Sequence, residues 1–182
     1  MARDKLVLTY QDYLQMPEDR NRREILEGDL YVTPAPSPRH QRVVANLSIL
    51  LEGYLSQHHA GKLYPSPIDV VLSQINVVQP DLVVVTTERL HIVTTTSIQG
   101  PPDLVIEVLS PSTAPVDRGR KLETYARFGV PEYWIVDPDL QALEIYNLHE
   151  GAYELVPSRA DPRGPRSPLL PDLAIETRTL WD

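Results

Sequence analysis

PDLVIEVLSPST, residues Pro102–Thr113, sets a glutamate in the middle of a run that could have been wholly apolar. Glu107 is flanked by Val105, Ile106, Val108 and Leu109. An unpaired carboxylate buried there would cost several kcal/mol, so the sequence predicts a partner for it. A second acid breaks a second run in the same way: in QPDLVVVT, residues 79–86, Asp81 opens Leu82–Val85. Both runs are rich in Val, Ile and Leu on both parities, as strands covered on two faces are. Side-chain alternation places Asp81, Val83 and Val85 on one face of their strand, and Val105, Glu107 and Leu109 on one face of theirs. If the strands are neighbours, the two carboxylates converge, repel and raise each other's pKa, which calls for a cation between them. Oxygen ligands in a chain without cysteine favour Mg²⁺ or Mn²⁺ over zinc. Each acid alone also has a structural explanation, Asp81 capping the turn after Pro80 and Glu107 pairing with an arginine.

Working outward, Thr113–Phe128 reads as a helix ended by Gly129 as the residue after its C-cap. Asp117, Lys121 and Tyr125, four apart, share one side of it, while Leu122, Ala126 and Gly129 mark an apolar stripe. At roughly 100° per residue Lys121 flanks that stripe and can reach over the sheet toward Glu107. The competing expectation is an exposed Asp117–Lys121 pair worth a few tenths of a kcal/mol. EYWIVD and ALEIYNL follow as two strands around a Pro-Asp turn, with an edge strand near Tyr153. On the N-terminal side, Thr9 is an N-cap for a short helix through Met16, and REILEGDLYVTP forms a hairpin about Gly28. Arg39–Gln57 is the clearest amphipathic helix, with Val43, Val44, Leu47, Leu50, Leu51, Tyr54 and Leu55 at three- and four-residue steps. Lys62–Tyr64 and Ile68–Leu72 are further strands, and NVVQP and a Thr-rich stretch read as loops. The expected class is α/β or α+β, a mixed sheet flanked by helices.

Length and composition bound the function. A chain of 182 residues reads as one domain, 1–182, with a core over about 20–157 and a proline-rich tail over 157–182. The 42% hydrophobic and 23% charged residues are ordinary for a globular protein, and the 18 prolines punctuate elements. The absence of cysteine excludes disulfides and thiolate metal sites and fits a reducing, cytoplasmic location. The start MARDKLVLTYQDYLQM lacks the apolar core of a signal peptide, and no apolar run approaches the roughly 18 residues of a membrane span, so no membrane partner is expected. A net charge of −8 counts against nucleic-acid binding through counterion release, although acids that hold a metal contribute to that figure while the cation restores positive charge locally.

EILEGDLYV, SPRH, QPDLVVV, GPPDLVIEVLSPST and DRGRKLETYARFGVPEYWIVDP, separate motifs in the right order along the chain, resemble the motif set of the Uma-two family of restriction-type endonucleases, in the PD-(D/E)xK nuclease superfamily. The resemblance runs from about Glu24 to Tyr146. It implies a restriction-endonuclease-like sheet flanked by helices and a Mg²⁺ site (Mn²⁺ as an alternative) made by Asp81 and Glu107, with the Val108 carbonyl as a backbone ligand. The lysine expected two residues after Glu107 is replaced by Leu109, and the helix that follows supplies Lys121 in its place. Glu24 matches the acid of the N-terminal motif and His40 the histidine of SPRH; His40 also has the simpler reading of a satisfied buried histidine. Asp103 carries a second Pro-Asp, but lies four residues from Glu107, roughly 13 Å along an extended chain, and is set aside.

The implied activity is Mg²⁺-dependent hydrolysis of phosphodiester bonds in DNA by an endonuclease acting as a homodimer. Lys121 would position or deprotonate the attacking water and stabilise the transition state. Two other functions fit parts of the pattern. One is a nuclease fold without turnover, acting as a binding or assembly module. The other is a glycoside hydrolase, which needs two carboxyls at a set separation but neither metal nor lysine.

Overall fold

The computed structural model describes residues 6–17, 21–157 and 165–181; residues 1–5, 18–20, 158–164 and 182 lie outside these. Two mixed sheets stack with helices around them. The first has strand order β2-β1-β5-β4-β7, from β1 (Arg22–Leu26), β2 (Asp29–Thr33), β4 (Asp69–Ser73), β5 (Asn76–Val78) and β7 (Ser97–Gln99). The second runs β11-β10-β9-β8-β6-β3, from β3 (Gly61–Pro65), β6 (Leu82–Thr86), β8 (Leu104–Val108), β9 (Glu132–Asp137), β10 (Ala142–His149) and β11 (Ala152–Leu155). The mixed sheet flanked by helices expected from the sequence is therefore two sheets. The difference lies in β5 and β7, three residues each and read as loops. Strands that short carry no measurable period of their own. They exist because β5 pairs antiparallel with β1 and β4 while β7 pairs parallel with β4.

The two acid-bearing strands are neighbours. β6 and β8 pair antiparallel with Leu82 opposite Ile106 and Val83 opposite Val105, so the next step of the register sets Asp81 opposite Glu107. The alternation read from the sequence divides the core. Leu82, Val84, Leu104, Ile106 and Val108 pack with α2 (Pro38–His58), whereas Val83, Val85, Val105 and Leu109 pack on the opposite face with Leu26, Val70, Val78 and Ile98 of the first sheet. The outer face of the first sheet is covered at Ile25, Val71 and Val77 by Leu8, Tyr10 and Tyr13. Here α1 (Tyr10–Leu14) begins in a capping box, Thr9 and Asp12 satisfying each other's backbone N–H.

α2 is capped by the Ser37 hydroxyl, which accepts from the His40 N–H at 3.2 Å, and opens with Pro38 in its first turn. The second helical region is not one continuous α-helix. α3 (Ala114–Val116) runs into a π-helical turn, Asp117–Lys121, and then into α4 (Leu122–Arg127). The sequence assigned Leu122, Ala126 and Gly129 to the packed side. The buried side instead carries Asp117, Lys121, Thr124 and Tyr125. The wide turn is part of the reason, as is the burial of these polar groups against acids rather than against water. The core also extends beyond 157: Leu170, Leu173, Ile175 and Leu180 are buried against α2 and the second sheet.

Candidate active site

Four carboxylates meet at the junction of the two sheets, each delivered by a different element. Glu24 comes from β1, Asp81 from the residue before β6, Glu107 from β8 and Asp117 from the π-helical turn; all four are buried. Glu107 accepts hydrogen bonds from Lys121 Nζ at 3.0 Å and from the Tyr125 hydroxyl at 3.0 Å, both on Oε1. The same ammonium reaches Glu24 Oε2 at 2.9 Å and Asp117 Oδ1 at 3.3 Å. Lys121 is therefore no exposed partner of Asp117, since its side chain is 2% exposed. Asp81 Oδ2 accepts the Val108 N–H at 2.8 Å and lies 3.3 Å from His40 Nε2, and Glu24 Oε1 accepts the Gln79 N–H at 2.8 Å. Glu24, His40, Asp81, Glu107, Val108 and Lys121 thus come together.

The partner of the two opposed acids is one the sequence reading missed. Arg22 donates from Nη1 to Asp81 Oδ1 at 2.7 Å and from Nη2 to Glu107 Oε2 at 3.2 Å, spanning the pair with one guanidinium. The alternative in which Glu107 pairs with an arginine is real, but that arginine holds Asp81 as well. A signal was present: Arg22 stands two residues before Glu24, so on a strand the two share a face. Gln79 was also missed as a contributor, whereas Tyr125 lies on the helix side shared with Asp117 and Lys121, as the spacing predicts; Tyr133 buttresses that side, its ring 5.0 Å from that of Tyr125 and its hydroxyl donating to the Asp117 carbonyl at 3.1 Å. Asp103 is engaged elsewhere, with Arg89 at 2.9 Å and the Thr86 N–H at 2.8 Å.

The electrostatics follow from this count. With all four acids ionised, Arg22 and Lys121 leave two negative charges unmatched among these groups. Burial pushes Glu107 up, the charges of Asp117 and Asp81 add to it, and Lys121 and Arg22 offset only part, so its carboxyl rises to about 8. Asp81 goes the other way: burial is outweighed by the His40 hydrogen bond, the Arg22 charge and the Val108 N–H, and its carboxyl is held at about 2. For Glu24, burial is likewise outweighed by Lys121 and Arg22, which keep it below the ordinary range. Lys121 is held well above the ordinary lysine range, because the surrounding carboxylates outweigh its burial.

The cluster opens on a cavity of about 670 Å³ lined by Arg22, His40, Asp81 and Glu107 and rimmed by the Thr33–Ser37 and Ser110–Thr113 loops. Among the described residues no group of three or more His, Asp or Glu side chains is arranged to hold a metal ion. Any ion here would rest on two carboxylates and a backbone oxygen. The carboxylate oxygens of Asp81 and Glu107 suit a hard divalent cation, and Arg22 shows that positive charge is accepted between them.

A solved structure from Anabaena variabilis, described as "a putative nuclease belonging to DUF820", superposes with a TM-score of 0.78 at 19% identity, covering 96% of this chain and 97% of that one. At that identity the likeness establishes the fold. "Uncharacterized protein slr1290" of Synechocystis sp. is 28% identical over 146 residues, which is 79% of this chain and 75% of that protein. The Uma2 family model, described as "Putative restriction endonuclease", matches residues 10–178, nearly the whole chain, and the chain belongs to that family.

Proposed function

We propose that this chain is a divalent-metal-dependent endonuclease that hydrolyses phosphodiester bonds in DNA, with Mg²⁺ as the cation and Mn²⁺ as a substitute. The observation that carries the reading is the Asp81–Glu107 pair, opposed across two antiparallel strands, bridged by one cationic group and facing a cavity. Asp81 and Glu107, with the Val108 carbonyl, would hold the ion. When bound, it supplies an acidified water and neutralises charge growing on the phosphate.

The chain's own groups prepare that site. Val108 N–H and His40 hold Asp81 Oδ2, which orients a carboxylate already ionised. Lys121 and Tyr125 hold Glu107 by Oε1, so its Oε2 faces Arg22. An ammonium kept protonated does not remove a proton from water, and Lys121 is enclosed by three acids. Its role is to position Glu107 and stabilise its ionised form rather than to act as the base. To hold the ion, Glu107 would give up the proton that burial favours on it. The DNA strand lies in the cavity, where Ser37, Arg39, Ser110 and Ser112 offer donors to phosphate oxygens, and a homodimer places one such cavity on each strand.

A second reading has one observation in its favour. Arg22 already neutralises the acid pair, as it would in a nuclease fold that binds without turnover. Supercoiled plasmid incubated with Mg²⁺, with Mn²⁺ and with EDTA separates the two. The expected outcome is nicked and linear DNA with either metal, none in EDTA, and none from Asp81→Asn. Metal-independent cutting, or full cutting by Asp81→Asn, removes the metal site from the reaction. Retention of DNA in a gel shift without cutting under any condition establishes the binding module.

A further inference from the structure

The two fixed cations of the site are not alike. Lys121 is enclosed by Glu24, Glu107 and Asp117 and does not line the main cavity. Arg22 lines it, and its side chain keeps 20% of its surface exposed. Its two terminal nitrogens are given to Asp81 Oδ1 and Glu107 Oε2, while its Nε is buried without an acceptor. The guanidinium is therefore anchored at one end, unsatisfied at Nε, and open to the cavity. It also lies between the carboxylates that the proposed reading gives to the divalent ion. An ion coordinated at roughly 2.1 Å needs oxygen lone pairs that face it, and a guanidinium spanning the same carboxylates repels it at close range.

We propose that Arg22 is the resident counter-cation of the Asp81–Glu107 pair, that a divalent ion displaces it, and that the displaced guanidinium takes a phosphate oxygen of the DNA in the cavity it lines. The inference rests on the metal-dependent reading above and adds the order of events to it. Without the ion, Arg22 is the positive group between Asp81 and Glu107, bonded to one oxygen of each. With the ion, the carboxylates are neutralised by the metal and the arginine is free. A guanidinium is suited to the second position, since its planar fork matches two phosphate oxygens as it matches two carboxylate oxygens. The exchange makes and breaks no covalent bond: one cation enters, and one moves from carboxylate to phosphate. Lys121 stays in place throughout, because all three of its acids remain.

Mn²⁺ titration by calorimetry, without nucleic acid, on the wild-type chain and on Arg22→Gln tests this, with thermal melts of both in EDTA and in Mn²⁺. If the arginine competes with the ion, its removal tightens Mn²⁺ binding by roughly ten-fold or more, the factor by which an occupied competitor reduces apparent affinity. Arg22→Gln should also melt below wild type in EDTA and gain more from Mn²⁺ than wild type does. Arg22→Lys, which keeps a charge on a shorter reach, should bind with intermediate affinity. A variant unfolded in EDTA that folds on adding Mn²⁺ supports the exchange, since the ion then substitutes for the guanidinium. A variant unfolded in both overturns it. So does Mn²⁺ binding by wild type with equal or weaker binding by Arg22→Gln, an outcome that leaves the metal-dependent reading standing. Absence of Mn²⁺ binding in all three chains removes both.

Discussion

Glu107 is a buried acid whose proton and whose proposed metal compete for the same oxygens. Its carboxyl, pushed up to about 8 by burial and by neighbouring acids, keeps its proton at neutral pH when no ion is bound. An ion must displace that proton, so Mn²⁺ affinity should rise about ten-fold per pH unit below pH 8 and level off above it. Glu107→Gln should lose the slope together with most of the affinity, as calorimetry across pH 6 to 9 would show. The sign for stability is opposite. Between the unfolded value of about 4.3 and the folded value of about 8, the folded chain holds a proton that the unfolded chain has lost. In EDTA this contribution makes the wild type less stable as pH rises through that window, and Glu107→Gln should flatten that component of the urea midpoint. Lys121→Met tests the other side of the pair. It leaves Glu24, Glu107 and Asp117 buried without their common ammonium and should cost about 3–5 kcal/mol at pH 8. The loss should shrink in acid as those carboxyls take up protons. Equal losses at pH 8 and pH 5 would mean that packing, and not charge, holds Lys121. In the sequence Glu107 and Asp81 stood out because each interrupts an apolar run, and Lys121 because it shares a helix side with Asp117 and Tyr125. Arg22 did not, because an arginine at the start of a strand is ordinary until the strand opposite is known.

Two contacts between elements make further demands. β3 lies so close to β6 that a Cβ on Gly61 would stand 2.4 Å from the Val85 carbonyl oxygen and 2.9 Å from the Thr86 Cα. Backbone cannot give way as a side-chain tip can. Gly61→Ala should therefore cost about 1–3 kcal/mol in urea unfolding, the range for forced overpacking. The C-terminal segment is tied to β9 by Glu132, which accepts from Trp134 Nε1 and Ser167 Oγ at 2.6 Å each and from the Leu169 N–H at 2.9 Å. Glu132→Ala leaves those donors unpaired at about 1–3 kcal/mol for each buried one. Limited proteolysis should then cut within 165–181 before it cuts the sheets; an unchanged digestion pattern would show that apolar packing alone retains the segment. The long elements were legible because periodicity accumulates over many residues, as in α2. β5 and β7 were not legible, and neither was the π-helical turn at Asp117–Lys121, since each is selected by what packs beside it.

At the scale of the molecule, two apolar clusters lie on either side of the six-stranded sheet, and the C-terminal segment helps to close one of them. Truncation after Pro157 would remove Leu170, Leu173, Ile175 and Leu180 from that cluster. Deleting a single buried leucine already costs about 2–5 kcal/mol. The truncated chain should bind a hydrophobic dye and melt without a cooperative transition; a cooperative melt at the wild-type temperature would refute the role given to the segment. The amino-acid sequence by itself determined the class of fold, the two strands covered on both faces, the parity that puts Asp81 and Glu107 on matching sides, and the absence of thiolate ligands. These are local properties, set by side-chain alternation and residue type within a few positions. Only the tertiary structure decided that β1 brings Arg22 between the two acids, that Lys121 serves three carboxylates at once, and that the proline-rich end belongs to the core. Those depend on which distant segments share a surface, where burial removes water and makes every charge answer to its neighbours.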